Sequence, residues 1–316
     1  MASIVDHERK LWLTFLWDIE NYSYTWENRS NCLESLMFNV DSIESILWKL
    51  LLFRSVNSKE KECMTYNFFG CCNDRSNGIQ VEWELITSTE DGTVLKSGKK
   101  PRQDFVSGLF MNCGVFEKQD VTITTKEAPI PSQDTLWIRC RMWRTDGKAA
   151  TPKTVFARTA LRVKKRTFLW DIKRFSSLTS GEKVDFVNDS ESKHDVVTFA
   201  IGVNEEDYVC IYIRFLDKNL RILKFQSFIT DTKGIKIDCG KYEIFPGEIN
   251  KEGMCTLRLT KQHLLDSKNL YLKNDVLSLS CECSWCDGYA FNGIESIESG
   301  ITSVGAQNHP VGVVGS

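Results

Sequence analysis

A cysteine-rich segment holds the residues of this chain that are best suited to chemistry. It reads Cys281-Glu-Cys283-Ser-Trp-Cys286 and contains three of the twelve cysteines in 316 residues. A structural zinc site takes four ligands, usually as two spaced pairs, and the sequence fixes no fourth ligand, although His263 lies upstream. The Cys-x-x-Cys spacing also fits a redox pair, which needs a helix N-terminus to lower the thiol pKa. This segment ends a strand pattern instead, so we favour buried thiols and predict no metal and no cofactor.

The remaining candidates for catalysis are isolated in the sequence. None of the four histidines, His7, His194, His263 and His309, has a nearby serine or cysteine in a nucleophile-elbow pattern. Glycine-rich loops that hold phosphates are also missing from the sequence. We therefore predict that the protein is not an enzyme and has no catalytic residues.

Charge and hydropathy narrow the choice of partners. The formal net charge is −2, which does not indicate a nucleic-acid binder. No apolar run reaches the roughly 18 residues that span a bilayer, and the first ten residues are too charged for a signal peptide. Arg162-Val-Lys-Lys-Arg166 could act as a nuclear import signal, but the exposed end of a strand with a linker is the preferred interpretation. We expect no membrane contact and a cytoplasmic or nuclear location, with reduced thiols.

A repeated pentapeptide defines the domain organisation. Phe-Leu-Trp-Asp-Ile occurs at Phe15–Ile19 and again at Phe168–Ile172, and each copy is followed by an aromatic residue and a serine. Leu136-Trp-Ile138-Arg-Cys140 likewise resembles Leu277-Ser-Leu279-Ser-Cys281. The chain is therefore expected to contain two copies of one domain, at 10–163 and 164–286, with a disordered Gly- and Ser-rich tail at 287–316. The phenylalanine and tryptophan of each motif share one strand face and should pack in the core.

Strand patterns dominate both copies. Apolar and polar residues alternate in the segments around Val81, Leu136, Val197, Val209 and Leu277, and turn pairs such as Lys233-Gly234 separate them. The prediction is an all-β chain of two tandem antiparallel β-sandwiches of about eight strands each. Thr260–Lys268 is expected to form a single helical turn, and Val163–Thr167 a short junction between the domains.

The opening motif Phe-x-Trp-x-Ile, with Trp48-Lys-Leu50-Leu-Leu52 and the closing Leu-x-Leu-x-Cys strand, resembles the MATH domain, also called the TRAF-like domain. Both halves resemble it, and speckle-type POZ proteins, particularly arthropod members with tandem MATH domains, are the most similar group. The resemblance implies a non-enzymatic module that binds Ser/Thr-rich linear motifs of partner proteins in a shallow groove. In that family a BTB domain then docks a cullin ubiquitin ligase.

The resemblance also implies groove residues. In copy two it places Tyr212, Phe225 and Tyr242 on groove aromatics, whereas the family's Trp-Gly-Phe is replaced at Glu252–Cys255. Copy one departs further, with Asn67, Val81 and Gln103 at these positions. The expected role is the substrate-recognition part of a ubiquitin-ligase adaptor that lacks its BTB domain and competes with full-length MATH-BTB relatives. The alternative is a structural scaffold or self-association protein whose grooves are degenerate.

Overall fold

The computed structural model divides the chain into two compact units. The main boundary falls between Ala160 and Leu161, a second falls between Ala290 and Phe291, and Ser23–Thr25 belong to the second unit. The residues described are 10–25, 32–39, 47–56, 62–71, 79–89, 93–105, 110–117, 134–145, 151–186, 196–217, 220, 222–244 and 252–300. His7, His194 and His309, which the sequence analysis considered for catalysis, lie outside these residues.

The first unit is built from two groups of strands. Its strands are β1 (Lys10–Glu20), β2 (Cys32–Glu34), β3 (Phe38–Asn39), β4 (Leu47–Val56), β5 (Glu62–Cys71), β6 (Ile79–Thr89), β7 (Val94–Phe105), β8 (Phe110–Glu117) and β9 (Thr135–Arg144). One sheet has the order β1-β9-β6-β7, and the other has the order β2-β4-β5-β8 with β3 beside β4. Both groups contribute to a sandwich-like core, in which Phe15 of β1 stacks on Phe38 of β3 with ring centroids 4.7 Å apart.

The second unit repeats this topology. Its elements are β10 (Lys153–Lys173), β11 (Lys183–Asp185), β12 (Val197–Val203), β13 (Tyr208–Phe215), β14 (Ile222–Thr230), β15 (Lys236–Ile244), β16 (Glu252–Thr260), α1 (Lys261–Asp266), α2 (Lys268–Tyr271), β17 (Leu272–Lys273) and β18 (Val276–Ser299). The first part of β10, up to Ala160, and the last part of β18, from Phe291, belong to the first unit. The sheets run β10-β18-β14-β15 and β11-β12-β13-β16. Strand for strand, these orders match those of the first unit, so the sequence repeat corresponds to a repeated arrangement of strands.

The repeated pentapeptide starts the same local structure in each unit. Asn21 and Arg174, at equivalent positions after the motif, both adopt left-handed backbone conformations with φ of 56° and 54°. A 3-10 turn follows each of them, at Tyr22–Tyr24 and Phe175–Ser177. A positive φ is uncommon outside glycine, so its recurrence shows that both copies end their first strand in the same way.

The motif side chains pack in the core, as predicted. The Phe, Trp and Ile of the first copy are fully buried, and those of the second copy are 9%, 5% and 2% exposed. In the second unit Phe168 packs against Phe199 with ring centroids 5.0 Å apart, which joins β10 to the opposite sheet. In the first unit Trp17 Nε1 donates a hydrogen bond of 2.8 Å to Thr159 Oγ1, so the buried indole N–H is satisfied.

The closing strands follow the predicted correspondence. Asp18 of β1 lies opposite Trp137 of β9 in the register. In the second unit Ser278, the counterpart of Trp137, donates a hydrogen bond of 2.6 Å to Asp171, the counterpart of Asp18. The predicted helical turn is also present as α1, whose N-cap Thr260 accepts a hydrogen bond from the His263 backbone N–H.

Three predictions about the chain's organisation are wrong. The sheets are not purely antiparallel, because β10 lies parallel to β1 from Leu13 opposite Lys153 to Glu20 opposite Ala160. Val163–Thr167 form no separate junction, because they lie inside the continuous strand β10. Asp287–Ser299 are not disordered but form the second half of β18. The rest of the proposed tail, residues 301–316, lies outside the described residues.

The second half of β18 is ordered by partners distant in the sequence. Asn292 Oδ1 accepts a hydrogen bond of 2.9 Å from Thr159 Oγ1, and Gly300 N–H donates one of 2.9 Å to the Pro152 carbonyl. Composition alone predicts disorder here because Gly and Ser weaken strands, but hydrogen bonds to a neighbouring strand offset that tendency. Among the described residues, no helix combines the length and apolar character needed to cross a membrane.

Replacing Trp170 with alanine should destabilise the second unit. The side chain is 5% exposed and packs against Phe186, so Trp170→Ala should lower the free energy of unfolding by about 3–5 kcal/mol. Leu169→Ala, at the neighbouring and 75% exposed position, is the control and should change it by less than about 0.5 kcal/mol. Urea denaturation followed by circular dichroism measures both, and equal effects would contradict the assignment of Trp170 to the core.

Candidate functional site

The outward face of the β11-β12-β13-β16 sheet carries the candidate site. Strand alternation sends Val209, Ile211 and Ile213 of β13 into the core, where all are 0% exposed. Tyr212 and Arg214 then face outward, and Tyr212 is half-buried. On β16 the same alternation leaves Met254 54% exposed, directly opposite Tyr212 in the register. We call this surface the Tyr212 face; it comprises Lys183, Ala200, Gly202, Tyr212, Arg214, Glu252 and Met254.

Small residues on β12 make room for the tyrosine ring. Ala200 lies opposite Tyr212 in the register, and Gly202 lies two residues further along β12. A methyl group added to Gly202 would lie 2.6 Å from the Glu182 carbonyl oxygen and 3.2 Å from Tyr212 Cε2. Glycine is therefore required here for the close approach of β11 and of the aromatic ring, although its backbone is not left-handed.

A charge network crosses the Tyr212 face. Lys183 Nζ lies 3.7 Å from the centroid of the Tyr212 ring and 2.8 Å from Glu252 Oε2. Arg214 Nη2 lies 3.3 Å from the other oxygen of the same carboxylate. The hydrogen bond from Lys183 is the main reason that the pKa of Glu252 is lowered. Exposed ion pairs and exposed cation–π contacts each contribute about 0–1 kcal/mol, so this network orders side chains more than it stabilises the fold.

Phe225, predicted as a groove aromatic, belongs to the core instead. It is 1% exposed and packs against Phe199, with ring centroids 5.6 Å apart. The prediction is wrong because strand alternation on β14 directs Phe225 between the two sheets. The equivalent position in the first unit is Trp83, since Trp83 lies opposite Met142 and Phe225 lies opposite Cys283. The family resemblance places Val81 there instead; Trp83, like Phe225, is buried, at 2% exposure.

Tyr242, the third predicted groove residue, connects the edges of the two sheets. It lies on β15, and its hydroxyl donates a hydrogen bond to the Thr256 carbonyl on β16. The ring is half-buried and packs over Gly240, whose φ of 124° permits the close approach. Burial is the largest cause of the raised pKa of the Tyr242 hydroxyl. Both the ring and the hydroxyl already have partners, so the described contacts of Tyr242 are structural.

The cysteine-rich segment forms buried thiols, as predicted. Cys281 and Cys283 belong to the core between the sheets, whereas Cys286 belongs to a separate cluster with Tyr24, Leu161 and Ile222. The three sulfur atoms therefore do not converge on one point. Burial raises the pKa of Cys283 to about 11, which disfavours the thiolate that metal ligation and redox attack require. Among the described residues, no group of three or more His, Cys, Asp or Glu side chains is placed to hold a metal ion.

The structure therefore brings a different set of residues together from the one predicted. Of the three predicted aromatics, Tyr212 alone lies on the outward sheet face. The sequence does not select Lys183, Glu252 and Met254, because Lys183 lies in none of the motif segments and the other two stand where the Trp-Gly-Phe motif is altered. Their alternation with buried Gly253 and Cys255 on β16 is the signal that could have identified Glu252 and Met254.

Replacing Gly202 with alanine should separate β11 from the sheet. The added methyl group would meet a backbone carbonyl at 2.6 Å, and this atom cannot move without shifting β11. We expect the free energy of unfolding to fall by about 1–3 kcal/mol, with faster amide hydrogen exchange in β11. Thr198→Ala, on the same strand and half-buried, is the control for a small change without this clash. Unchanged exchange in β11 would contradict the proposed close packing.

Replacing Tyr242 with phenylalanine should cost about 0.5–1.5 kcal/mol of stability near neutral pH, because the hydrogen bond to Thr256 is lost. The raised pKa adds a pH dependence. Above about pH 10 the unfolded tyrosine releases its proton while the folded one keeps it, so wild-type stability falls as the pH rises. The difference between wild type and Tyr242→Phe should therefore shrink from about pH 10 upward.

Urea denaturation at several pH values measures this difference. Tyr208→Phe, which removes the same atom from another half-buried tyrosine, is the matched control. A difference between wild type and Tyr242→Phe that stays constant from pH 8 to pH 11 would contradict the assignment.

No protein-family model matches the chain, and no curated protein matches it either. The resemblance to the MATH domain therefore depends on the motif residues themselves. The functional inference depends on the chemistry of the Tyr212 face.

Proposed function

We propose that the second unit binds short, extended, Ser/Thr-rich segments of partner proteins on the Tyr212 face, without catalysing a reaction. The observation that carries this proposal is Tyr212 itself, a half-buried aromatic residue on the outward side of a sheet, beside the exposed Met254. Tyrosine suits such a surface because its ring provides apolar area and its hydroxyl can take a polar partner.

The polar groups around Tyr212 suit hydroxyl-bearing side chains. Glu252 accepts hydrogen bonds, and Lys183 and Arg214 donate them. Serine and threonine hydroxyls both donate and accept, so they can join this network without adding net charge. With one aromatic anchor in place of three, we expect weak binding, with a Kd of about 10 µM or higher.

The proposed biological role follows from the family that the sequence resembles. In that family such a module selects the protein that a cullin ubiquitin ligase modifies, and we propose the same selecting role for this chain. Extended peptides can pair with an outer strand of a sheet, and β11 and β16 are the outer strands of the sheet that carries the Tyr212 face.

A second candidate function is a scaffold that associates with copies of itself. Phe225 lies in the core and Tyr242 bonds across the sheet edge, so neither contributes to a peptide groove. The smaller aromatic surface that remains around Tyr212 is the observation that favours a scaffold. Exposed Met254 would then contribute to a contact between copies instead of a peptide site.

Replacing Tyr212 with alanine should weaken peptide binding about tenfold or more, because the aromatic anchor is lost. Isothermal titration with a Ser/Thr-rich peptide measures this, and Leu169→Ala, an exposed apolar residue on β10, is the control that should bind as wild type. Equal binding by Tyr212→Ala and wild type would exclude the Tyr212 face as the site. Absence of peptide binding together with concentration-dependent dimers in sedimentation experiments would favour the scaffold.

A further inference from the structure

We propose that Tyr212 and Glu252 form a binding corner for a basic side chain of the bound peptide, preferably arginine, and that Lys183 is a tethered occupant which this side chain displaces. The corner consists of the Tyr212 ring face and the Glu252 carboxylate. This inference rests on the proposed peptide binding and specifies which peptides the site prefers.

The internal contacts of Lys183 show what the corner accepts. One ammonium group lies 3.7 Å from the ring centroid and 2.8 Å from Glu252 Oε2 at the same time. A ring face attracts cations through its negative quadrupole, and a carboxylate attracts them through its full charge. The two groups therefore converge on a single position that is complementary to a cation.

The Lys183 side chain is accessible enough to be displaced from Tyr212 and Glu252 by a competing cation. Lys183 begins β11, a three-residue edge strand whose residues are all exposed, and its side chain is 36% exposed. The Glu252 side chain is 31% exposed, so an incoming group can reach the carboxylate from solvent. Exposed ion pairs are held weakly, because water solvates both partners when they separate. Displaced Lys183 would become solvated instead of remaining as a buried charge.

Arginine fits the corner better than lysine. Its planar guanidinium can stack on the tyrosine ring while it donates a hydrogen bond to Glu252 Oε2, whereas an ammonium acts as a point charge. Arg214 already donates to Glu252 Oε1 at 3.3 Å, which leaves Oε2 as the atom exchanged between Lys183 and the peptide. Glu252 keeps a positive partner throughout, so the exchange leaves no carboxylate unpaired.

Two peptides that differ at one position test the proposal. Both are Ser/Thr-rich; one carries arginine, and the other carries citrulline, which has nearly the same shape without the charge. Isothermal titration gives the ratio of their affinities for wild type, Lys183→Ala and Glu252→Gln. We expect the arginine peptide to bind wild type about threefold more tightly, Lys183→Ala to raise the ratio by a further factor of about three to ten, and Glu252→Gln to bring it to about one.

Lys241→Ala is the matched control, because Lys241 is an exposed lysine on β15 of the same unit. It should leave the affinity ratio at the wild-type value. An arginine-to-citrulline ratio that is the same in wild type and Lys183→Ala would overturn the proposal, and so would a ratio that survives Glu252→Gln.

A separate measurement distinguishes failure of this inference from failure of the proposed function. Nα-acetylarginine N-methylamide is titrated into Lys183→Ala while the Tyr212 ring resonances are followed by NMR. We expect shifts that saturate in the millimolar range with Lys183→Ala, and no shifts with the double variant that also carries Glu252→Gln. This result supports the corner even if no Ser/Thr-rich peptide binds. Peptide binding without any effect of arginine or of Lys183→Ala would support the proposed function and overturn this inference.

Discussion

Burial of the Phe-x-Trp-x-Ile face is the constraint on which both units depend. Two aromatic rings and an isoleucine on one side of a strand present more apolar area than a single sheet can cover, so a second sheet must pack over it. Phe15 stacks on Phe38 and Phe168 packs on Phe199, so each copy meets this requirement across its own core. The matching strand orders follow from the same constraint, since each motif strand must lie where both sheets can reach it.

Features with a local sequence signal could be predicted, and features set by distant partners could not. Alternation identified the strands around Val209 and Leu277, and Thr260 marked the start of α1. The continuity of β10 through Val163–Thr167 and the extension of β18 to Ser299 depend on pairing between segments more than a hundred residues apart. Amino-acid composition does not show which distant strand a segment will pair with. For this reason the Gly- and Ser-rich segment is wrongly predicted to be disordered.

In the candidate site, too, a local sequence pattern predicts some residues, whereas others depend on strand pairing. Tyr212 could be found because its strand alternates clearly, with buried neighbours at Ile211 and Ile213. Phe225 resembles a groove residue by its position in the motif, but the direction of its side chain depends on the register of β14 with β18. One residue of register exchanges the two faces of a strand, so a motif match without pairing information cannot separate a core aromatic from a surface one.

The arrangement around Tyr212 favours selectivity by charge over selectivity by apolar area. A patch of three aromatics would bind many apolar sequences, whereas in the proposed site one ring beside Lys183, Glu252 and Arg214 would distinguish ligands mainly by the positions of their charges and hydroxyl groups. Such groups contribute little net affinity, because their desolvation offsets most of their attraction, but a mismatched charge is penalised strongly. Gly202 and Ala200 make room for the ring at the sheet surface, so the proposed site keeps one aromatic anchor although Phe225 lies in the core and Tyr242 at the sheet edge.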